Sequence, residues 1–294
     1  MGQNWGVIAS AINNVTRAHF EFSHVTPLAG GCINQTYRIT SQNQQHFFVK
    51  LNTADKHAMF DAERKGLSAI AATHTIRVPQ PITDGIAGVC AFLVLENIDL
   101  IACGNEAFLG QQLAAMHRHC GQQFGFALSN TIGATPQQNN WHTDWINFWR
   151  EQRLGFQLEL AAHHGYGGKL QLLGQMLMER LPEFFVDYQP AVSLLHGDLW
   201  GGNHAYAPGG VPVIFDPAPY YGDRETDLAM TELFGGFGPE FYAAYRAAWP
   251  LHAGYTQRKT LYNLYHVLNH ANHFGGGYAR QAESMMKVLL QTPA

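Results

Sequence analysis

Apolar residues along this 294-residue chain follow two rhythms. In the first third they come as short runs or alternate with polar residues, the period of strands. Later they recur three and four apart, the period of helices. Residues 5 to 17 have the pattern of a short helix. The stretch L-A-G-G-C-I-N-Q-T-Y-R-I-T then reads as strand, glycine turn and strand, with Tyr37 to Ile39 alternating outward and inward. H-F-F-V-K-L-N is a third strand, rich in β-branched and aromatic residues. In A-M-F-D-A-E-R-K-G-L-S-A-I-A, residues Met59, Glu63, Leu67 and Ile70 fall on one helix face. Pro79 and Pro81 end that segment, and Gly88 to Leu95 is an apolar strand that runs out into Glu96, Asn97, Ile98 and Asp99.

Beyond residue 98 the pattern is mainly helical. Asn105 suits the cap of a helix reaching about His119, with Leu109, Leu113 and Met116 on one face. Trp141, Trp145 and Trp149 are spaced four apart. Trp145 and Trp149 read as core, and Trp141, ahead of the helix, as a surface or pocket residue. Helical segments are expected at 151 to 162 and 168 to 181, another from about Asp227, and a long one near the end. Residues 1–98 therefore form an expected strand-rich lobe and 99–294 an expected helical lobe.

Composition narrows the class. The chain is 46% hydrophobic, enough for a sizeable core. A net charge of −4 offers no basic field for nucleic acid. No run of 18 apolar residues is present, so no membrane span is expected. The start, M-G-Q-N-W-G, lacks the basic and apolar regions of a signal peptide and the hydroxyl residue of a myristoylation site. Cys32, Cys90, Cys103 and Cys120 show no metal spacing and no disulfide framework, which suits a reducing cytoplasm.

The chemistry concentrates between residues 194 and 229. A short apolar run, Val192 to Leu195, leads into H-G-D-L-W-G-G-N, where glycines permit a tight loop. The segment A-P-G-G-V-P marks a hairpin turn, and the strand Val213 to Phe215 ends on Asp216. Asp198 and Asn203 have the D-x-x-x-x-N spacing of a kinase catalytic loop, and Asp216 stands where such enzymes keep a second metal-binding acid. Phosphoryl transfer needs this set: one Asp to take or orient a hydroxyl, and an Asn and an Asp as hard oxygen donors for Mg²⁺ on the nucleotide phosphates. The plainer alternative makes Asp198 and Asn203 turn formers and Asp216 a strand end.

Two residues of the first lobe fit the same reaction. Lys50 lies in a strand and needs a partner if buried, and so does Glu63 on an apolar helix face. Paired, they would leave the lysine able to meet the α and β phosphates of ATP. The glycine turn, Gly30, Gly31, Cys32, Ile33 and Asn34, would cover those phosphates with backbone N–H groups. In a two-lobed kinase, residues Glu96, Asn97 and Ile98 form the connector whose backbone pairs with adenine. His266 and His270 are spaced i, i+4, but no Glu or Cys accompanies them in register, so a metal there is disfavoured.

These motifs carry a family likeness over nearly the whole chain. G-G-C-I-N-Q-T-Y-R-I, F-V-K, I-G-A-T-P-Q-Q-N-N-W, D-W-I-N-F-W-R-E-Q-R-L, H-G-D-L-W-G-G-N, F-D-P-A, G-D-R-E-T-D-L-A-M and L-N-H-A-N-H-F-G-G-G-Y together resemble the fructosamine kinase, or ketosamine-3-kinase, family. That family lies within the aminoglycoside phosphotransferase and protein-kinase-like fold. The resemblance implies an α+β, two-lobed protein: a small antiparallel sheet with one key helix, then a larger helical lobe. It also implies ATP-dependent phosphorylation of the 3-hydroxyl of a sugar–amine adduct (ribulosamine, erythrulosamine or fructosamine). The 3-phosphate then leaves by elimination and frees the amine, on small ketosamines or glycated protein lysines. Trp200 is a candidate wall of the sugar–amine pocket, and Asp223 and His270 join it as substrate candidates. Asp227 is expected to brace the catalytic loop. A monomer or weak homodimer is the expected assembly.

Other readings remain open at this level. A choline, aminoglycoside or homoserine kinase would share the loop, though not the W-G-G-N and G-D-R-E segments. A protein kinase would need a D-F-G to A-P-E segment that is missing. A non-catalytic ATP-binding regulator would bind without turnover. Cys32 could be oxidised, or could be an inert small residue of the glycine turn.

Overall fold

The computed structural model describes residues 4–17, 19–29 and 33–291. These group into two compact units, residues 1–105 with 205–217, and residues 106–204 with 218–294.

The first unit begins with α1 (Trp5–Thr16), which buries Ile8, Ala9 and Ile12 on one face. Strands β1 (Phe22–Leu28), β2 (Gln35–Ser41) and β3 (His46–Thr53) follow, then α2 (His57–Ala71), β4 (Pro81–Ala87) and β5 (Cys90–Glu96). The sheet order is β1-β2-β3-β5-β4, with every neighbouring pair antiparallel. Side chains alternate across β3: Val49 and Leu51 join Ile8, Ile12, Phe20 and Ile39 in one core, so Lys50 must point to the other face. There α2 lies, burying Phe60, Leu67 and Ile70. Phe60 takes the inward place that the spacing suggested for Met59, which is only partly covered. The difference follows from 3.6 residues per turn, which brings Phe60, Glu63, Leu67 and Ile70 onto one stripe.

The second unit opens with α3 (Glu106–His117). A two-stranded hairpin follows, β6 (Asn130–Ile132) with β7 (Thr135–Gln137). Then come α4 (Trp145–Phe148), a wide helical turn over Trp149–Gly155, α5 (Phe156–His163), α6 (Lys169–Arg180) and β8 (Ser193–Leu194). The chain next supplies β9 (His204–Ala207) and β10 (Val211–Ile214), an antiparallel hairpin. From Ala205 onward this hairpin belongs to the first unit: Ile101 and Tyr206 exchange backbone hydrogen bonds, and the Ile214 N–H donates to Arg77 O at 3.0 Å. A cut at residue 98 would assign this stretch to the second lobe; tertiary pairing carries it back.

The chain returns to the second unit with β11 (Tyr221–Gly222), paired to β8, and then α7 (Glu225–Leu233), α8 (Pro239–Ala248), α9 (Tyr255–Phe274) and α10 (Tyr278–Gln291). Its core gathers Trp145, Phe148, Trp149, Leu195, Tyr220, Leu261, Tyr262, Leu268 and Met286. Trp145 and Trp149 are buried here, whereas Trp141 is 48% exposed. No helix among the described residues is long and apolar enough to cross a membrane.

Candidate active site

In the first unit, Lys50 is the centre. It is 4% exposed, and its Nζ donates to Glu63 Oε1 and to Asp216 Oδ1, each at 2.6 Å. Burial alone would lower its pKa, but the carboxylates of Asp216 and Glu63 outweigh that and hold it above the ordinary lysine value. The same burial pushes the Glu63 carboxyl up, against the pull of the ammonium. Asp216 differs from Glu63 in two ways. Its side chain is 47% exposed, and its backbone is left-handed at φ 56°, a conformation costly for most residues but tolerated by Asp. With one oxygen on Lys50, the carboxylate keeps its remaining capacity as a hard acceptor.

In the second unit, the loop 196–203 is built around Asp227. This acid is fully buried near the start of α7. Its Oδ2 accepts the His196 N–H at 2.7 Å and its Oδ1 the Gly197 N–H at 2.8 Å. His117 Nε2 lies 3.1 Å from Oδ2, and His117 Nδ1 meets the Tyr245 hydroxyl at 2.8 Å. Burial would raise the pKa of Asp227, yet the bonds and charge of His117, with the loop N–H groups, hold it below the usual carboxylate range. Gly197 sits at φ 82°, and a Cβ there would lie 2.0 Å from Ala218 O, so only glycine fits. The turn delivers Asp198, half-buried, beside Asn203. Asn203 Nδ2 donates to Asp198 O at 2.9 Å and Asp198 Oδ2 at 3.2 Å. That spends the amide's donor end and leaves its Oδ1 as the acceptor end. The oxygens of Asn203 and Asp216 are thus the kind of donors a Mg²⁺ ion takes.

The other expected residues are placed as follows. Trp200 is 41% exposed, with its ring so close over Gly202 that a Cβ there would lie 2.3 Å from it. Asp223 is fully buried. It accepts from the Tyr188 and Tyr262 hydroxyls and from the Glu225 N–H, which makes it a brace at the head of α7 with no face left for a ligand. His270 Nδ1 meets His266 O, and its ring packs among Phe234, Phe274 and Tyr278 at 5.0 to 5.5 Å. Glu96 is committed by its side chain to Arg77 and by its N–H to Gln80 O, while Asn97 and Ile98 are partly exposed after β5. Asn34 and Ile33 are both tied to Asn52 Nδ2, through Asn34 Oδ1 at 2.8 Å and Ile33 O at 3.3 Å. Gly30, Gly31 and Cys32 lie outside the described residues.

Three residues escaped the sequence reading. His117 lies four residues after Leu113, on the apolar face of α3, and a histidine there was the signal. Arg258 is buried in α9, where it holds Glu225 through Nε at 2.7 Å. Arg153 is buried too, 4.0 Å from the Tyr220 ring centroid. Nothing in their spacing separates them from surface arginines.

Known proteins resemble this chain over nearly its whole length. The fructosamine kinase family matches residues 4–292. A protein of Synechocystis named "Probable ketoamine kinase" is 47% identical over 290 residues, covering 98% of this chain and 97% of its own. The chloroplastic protein-ribulosamine 3-kinase of Arabidopsis thaliana is 42% identical over 275 residues, covering 92% of this chain and 84% of its own. A solved structure of a fructosamine-3-kinase-type protein from Haemophilus somnus superposes with a TM-score of 0.89 at 28% identity, covering 98% of each chain. At 13% identity, an aminoglycoside phosphotransferase in complex with gentamicin still gives a TM-score of 0.60, a likeness of fold alone.

Proposed function

The chain belongs to the fructosamine kinase family, and on that footing we propose that it is an ATP-dependent ketosamine 3-kinase acting in deglycation. The observation that carries the reading is the buried Lys50 ammonium, joined at 2.6 Å to both Glu63 and Asp216. A buried lysine with two acids, one of them half exposed and left-handed, is the arrangement that aligns nucleotide phosphates beside a metal-binding acid.

Asp198 accepts the proton of the sugar 3-hydroxyl as its oxygen attacks the γ-phosphorus. The bond to the β–γ bridging oxygen breaks, and ADP leaves. Lys50, steadied by Glu63, holds the α and β phosphates. Asn203 and Asp216 would hold Mg²⁺, which would offset the negative charge of the nucleotide phosphates. Ile33 and Asn34 lie beside the phosphates, and the backbone of residues 96 to 98 takes adenine. Trp200, exposed next to Leu199, offers an apolar face to the sugar–amine. The 3-phosphate then departs by elimination from the product and the amine is recovered.

The test is ATP consumption with ribulose-, erythrulose- and fructose-lysine side by side, together with choline and an aminoglycoside. Turnover on the ketosamines, with ribulose- or erythrulose-lysine preferred, is expected. Turnover confined to choline or the aminoglycoside would replace this reading with another small-molecule kinase.

A further inference from the structure

The T-P-Q hairpin takes no part in the chemistry above, yet its last residue grips the active-site scaffold. Gln137 ends β7, is 1% exposed, and stands opposite Asn130 of β6. Its Nε2 donates to Ala218 O at 3.0 Å and to Asn130 Oδ1 at 2.8 Å. Its Oε1 accepts from the Tyr265 hydroxyl at 2.8 Å. A primary amide has one accepting and one donating end, so a hydroxyl held on the oxygen turns the NH₂ toward Ala218. Asn130 Nδ2 continues the grip by donating to Pro219 O at 2.9 Å. Behind them Arg153 donates to Asn139 Oδ1 at 2.8 Å, and Asn139 Nδ2 donates to Asn130 Oδ1 at 3.2 Å.

Ala218 passes this grip to the loop. Its N–H donates to His196 O at 2.9 Å, and its carbonyl is the atom against which Gly197 is packed with no room for a Cβ. The peptide units at His196 and Gly197 are therefore fixed from two directions. Asp227 holds their N–H groups, and Ala218 holds the His196 carbonyl and the Gly197 Cα. Asp198 is the next residue in the chain.

We propose that Gln137 is a positioning residue for the loop carrying Asp198, acting through the backbone of Ala218, with Tyr265 setting which end of the amide faces it. This rests on the role given to Asp198 above. Without the amide, the Ala218 carbonyl loses its buried donor, Gly197 shifts with it, and Asp198 loses its aim. Nucleotide affinity should stay near wild type, because the partners of Gln137 among the described residues, Asn130, Ala218 and Tyr265, are not among those assigned to ATP.

The experiment compares wild type with Gln137→Leu, Tyr265→Phe, the double variant and Gln137→Glu, using ribulose-lysine and ATP. For Gln137→Leu, kcat should fall by about 10- to 100-fold while KM for ATP stays within about twofold. Tyr265→Phe should lose a few-fold, and the double variant should equal Gln137→Leu alone, since the hydroxyl acts only through the amide. Gln137→Glu supplies a pH readout. Protonated, its carboxyl can donate to Ala218 O; ionised, it repels that carbonyl, so kcat should decline with rising pH along a limb that wild type lacks. Wild-type kcat in Gln137→Leu, additive losses in the double variant, or a pH profile of Gln137→Glu parallel to wild type would each overturn the proposal. Should Gln137→Leu not fold, Tyr265→Phe decides alone: a lower kcat at unchanged KM for ATP supports the role, and wild-type kcat overturns it. A wild type inactive on every ketosamine would instead overturn the assigned reaction, a result distinct from an active wild type matched by its variants.

Discussion

Lys50, Glu63 and Asp216 in the first unit and the loop 196–203 in the second hold their polar groups in opposite ways. In the trio, side chains compensate each other. Lys50 is satisfied by Glu63 and Asp216, and the charge it brings inside is balanced on the spot. In the loop, the Asp198 carboxylate accepts from Asn203, and the backbone that carries it is gripped separately. Buried Asp227, with His117 behind it, grips the backbone at His196 and Gly197 and so aims Asp198 from beneath. A charge-balanced trio can lose a member and adjust by protonation. A backbone held by a buried acid has no such reserve, so damage in the two places should look different.

The largest effect should come from the functional side chain that the scaffold serves. Asp198→Asn removes the proposed proton acceptor but keeps the shape, so kcat should fall by about 10²- to 10⁴-fold while ATP affinity and thermal stability stay near wild type. Steady-state kinetics with ribulose-lysine beside nucleotide titration check this. A variant turning over at the wild-type rate would show that the loop aims some other group.

Much of this contrast was legible in the sequence. Lys50 and Glu63 could be paired because each was a charge on an apolar stripe that required a partner. The spacing of Asp198 and Asn203 pointed to one loop, and there the two side chains meet. The grouping of residues 205–217 with the first unit was not readable, because it depends on bonds from Ile101 and Arg77 to Tyr206 and Ile214. Asp223 shows the limit from the other side. An acid in a distinctive G-D-R-E run looks functional, but its oxygens are consumed by Tyr188, Tyr262 and the Glu225 N–H. Local pattern reveals that a polar residue has a task, while only tertiary packing reveals whether that task faces inward.

The next effect in size separates the two regions by stability. Asp227→Ala strands two backbone N–H groups and His117 in a dry interior, and should cost about 3 kcal/mol or more in denaturant unfolding. Lys50→Met should cost less, on the order of 1–2 kcal/mol. Asp216 is half exposed and can be rehydrated, and the Glu63 carboxyl, already pushed up by burial, can take a proton. Equal losses would erase the distinction between a compensated trio and a held backbone.

The smallest effect tests the dry interior of the second unit through a group that neither site uses. His266 is buried in α9, and burial, with His270 adding to it, depresses its pKa from the ordinary 6.5 to about 3. Between those values the unfolded chain binds a proton there and the folded chain does not. Stability from this residue is therefore fully present above pH 6.5 and is lost as pH falls toward about 3. From pH 6.5 to 5.5 the loss amounts to about 1 kcal/mol. Glu225, which burial and the Asp223 charge push up to about 7, titrates in the same window with the opposite sign: its folded form binds the extra proton, so its contribution declines as pH rises from 4.5 to about 7. The total curve mixes the two, and the difference between wild type and His266→Gln isolates the histidine. That difference should narrow in favour of the variant by about 1 kcal/mol over the stated unit of pH. A pH-independent difference would mean that His266 is as free to ionise in the folded protein as in the unfolded chain, and that the helical unit is wetter around α9 than its packing implies.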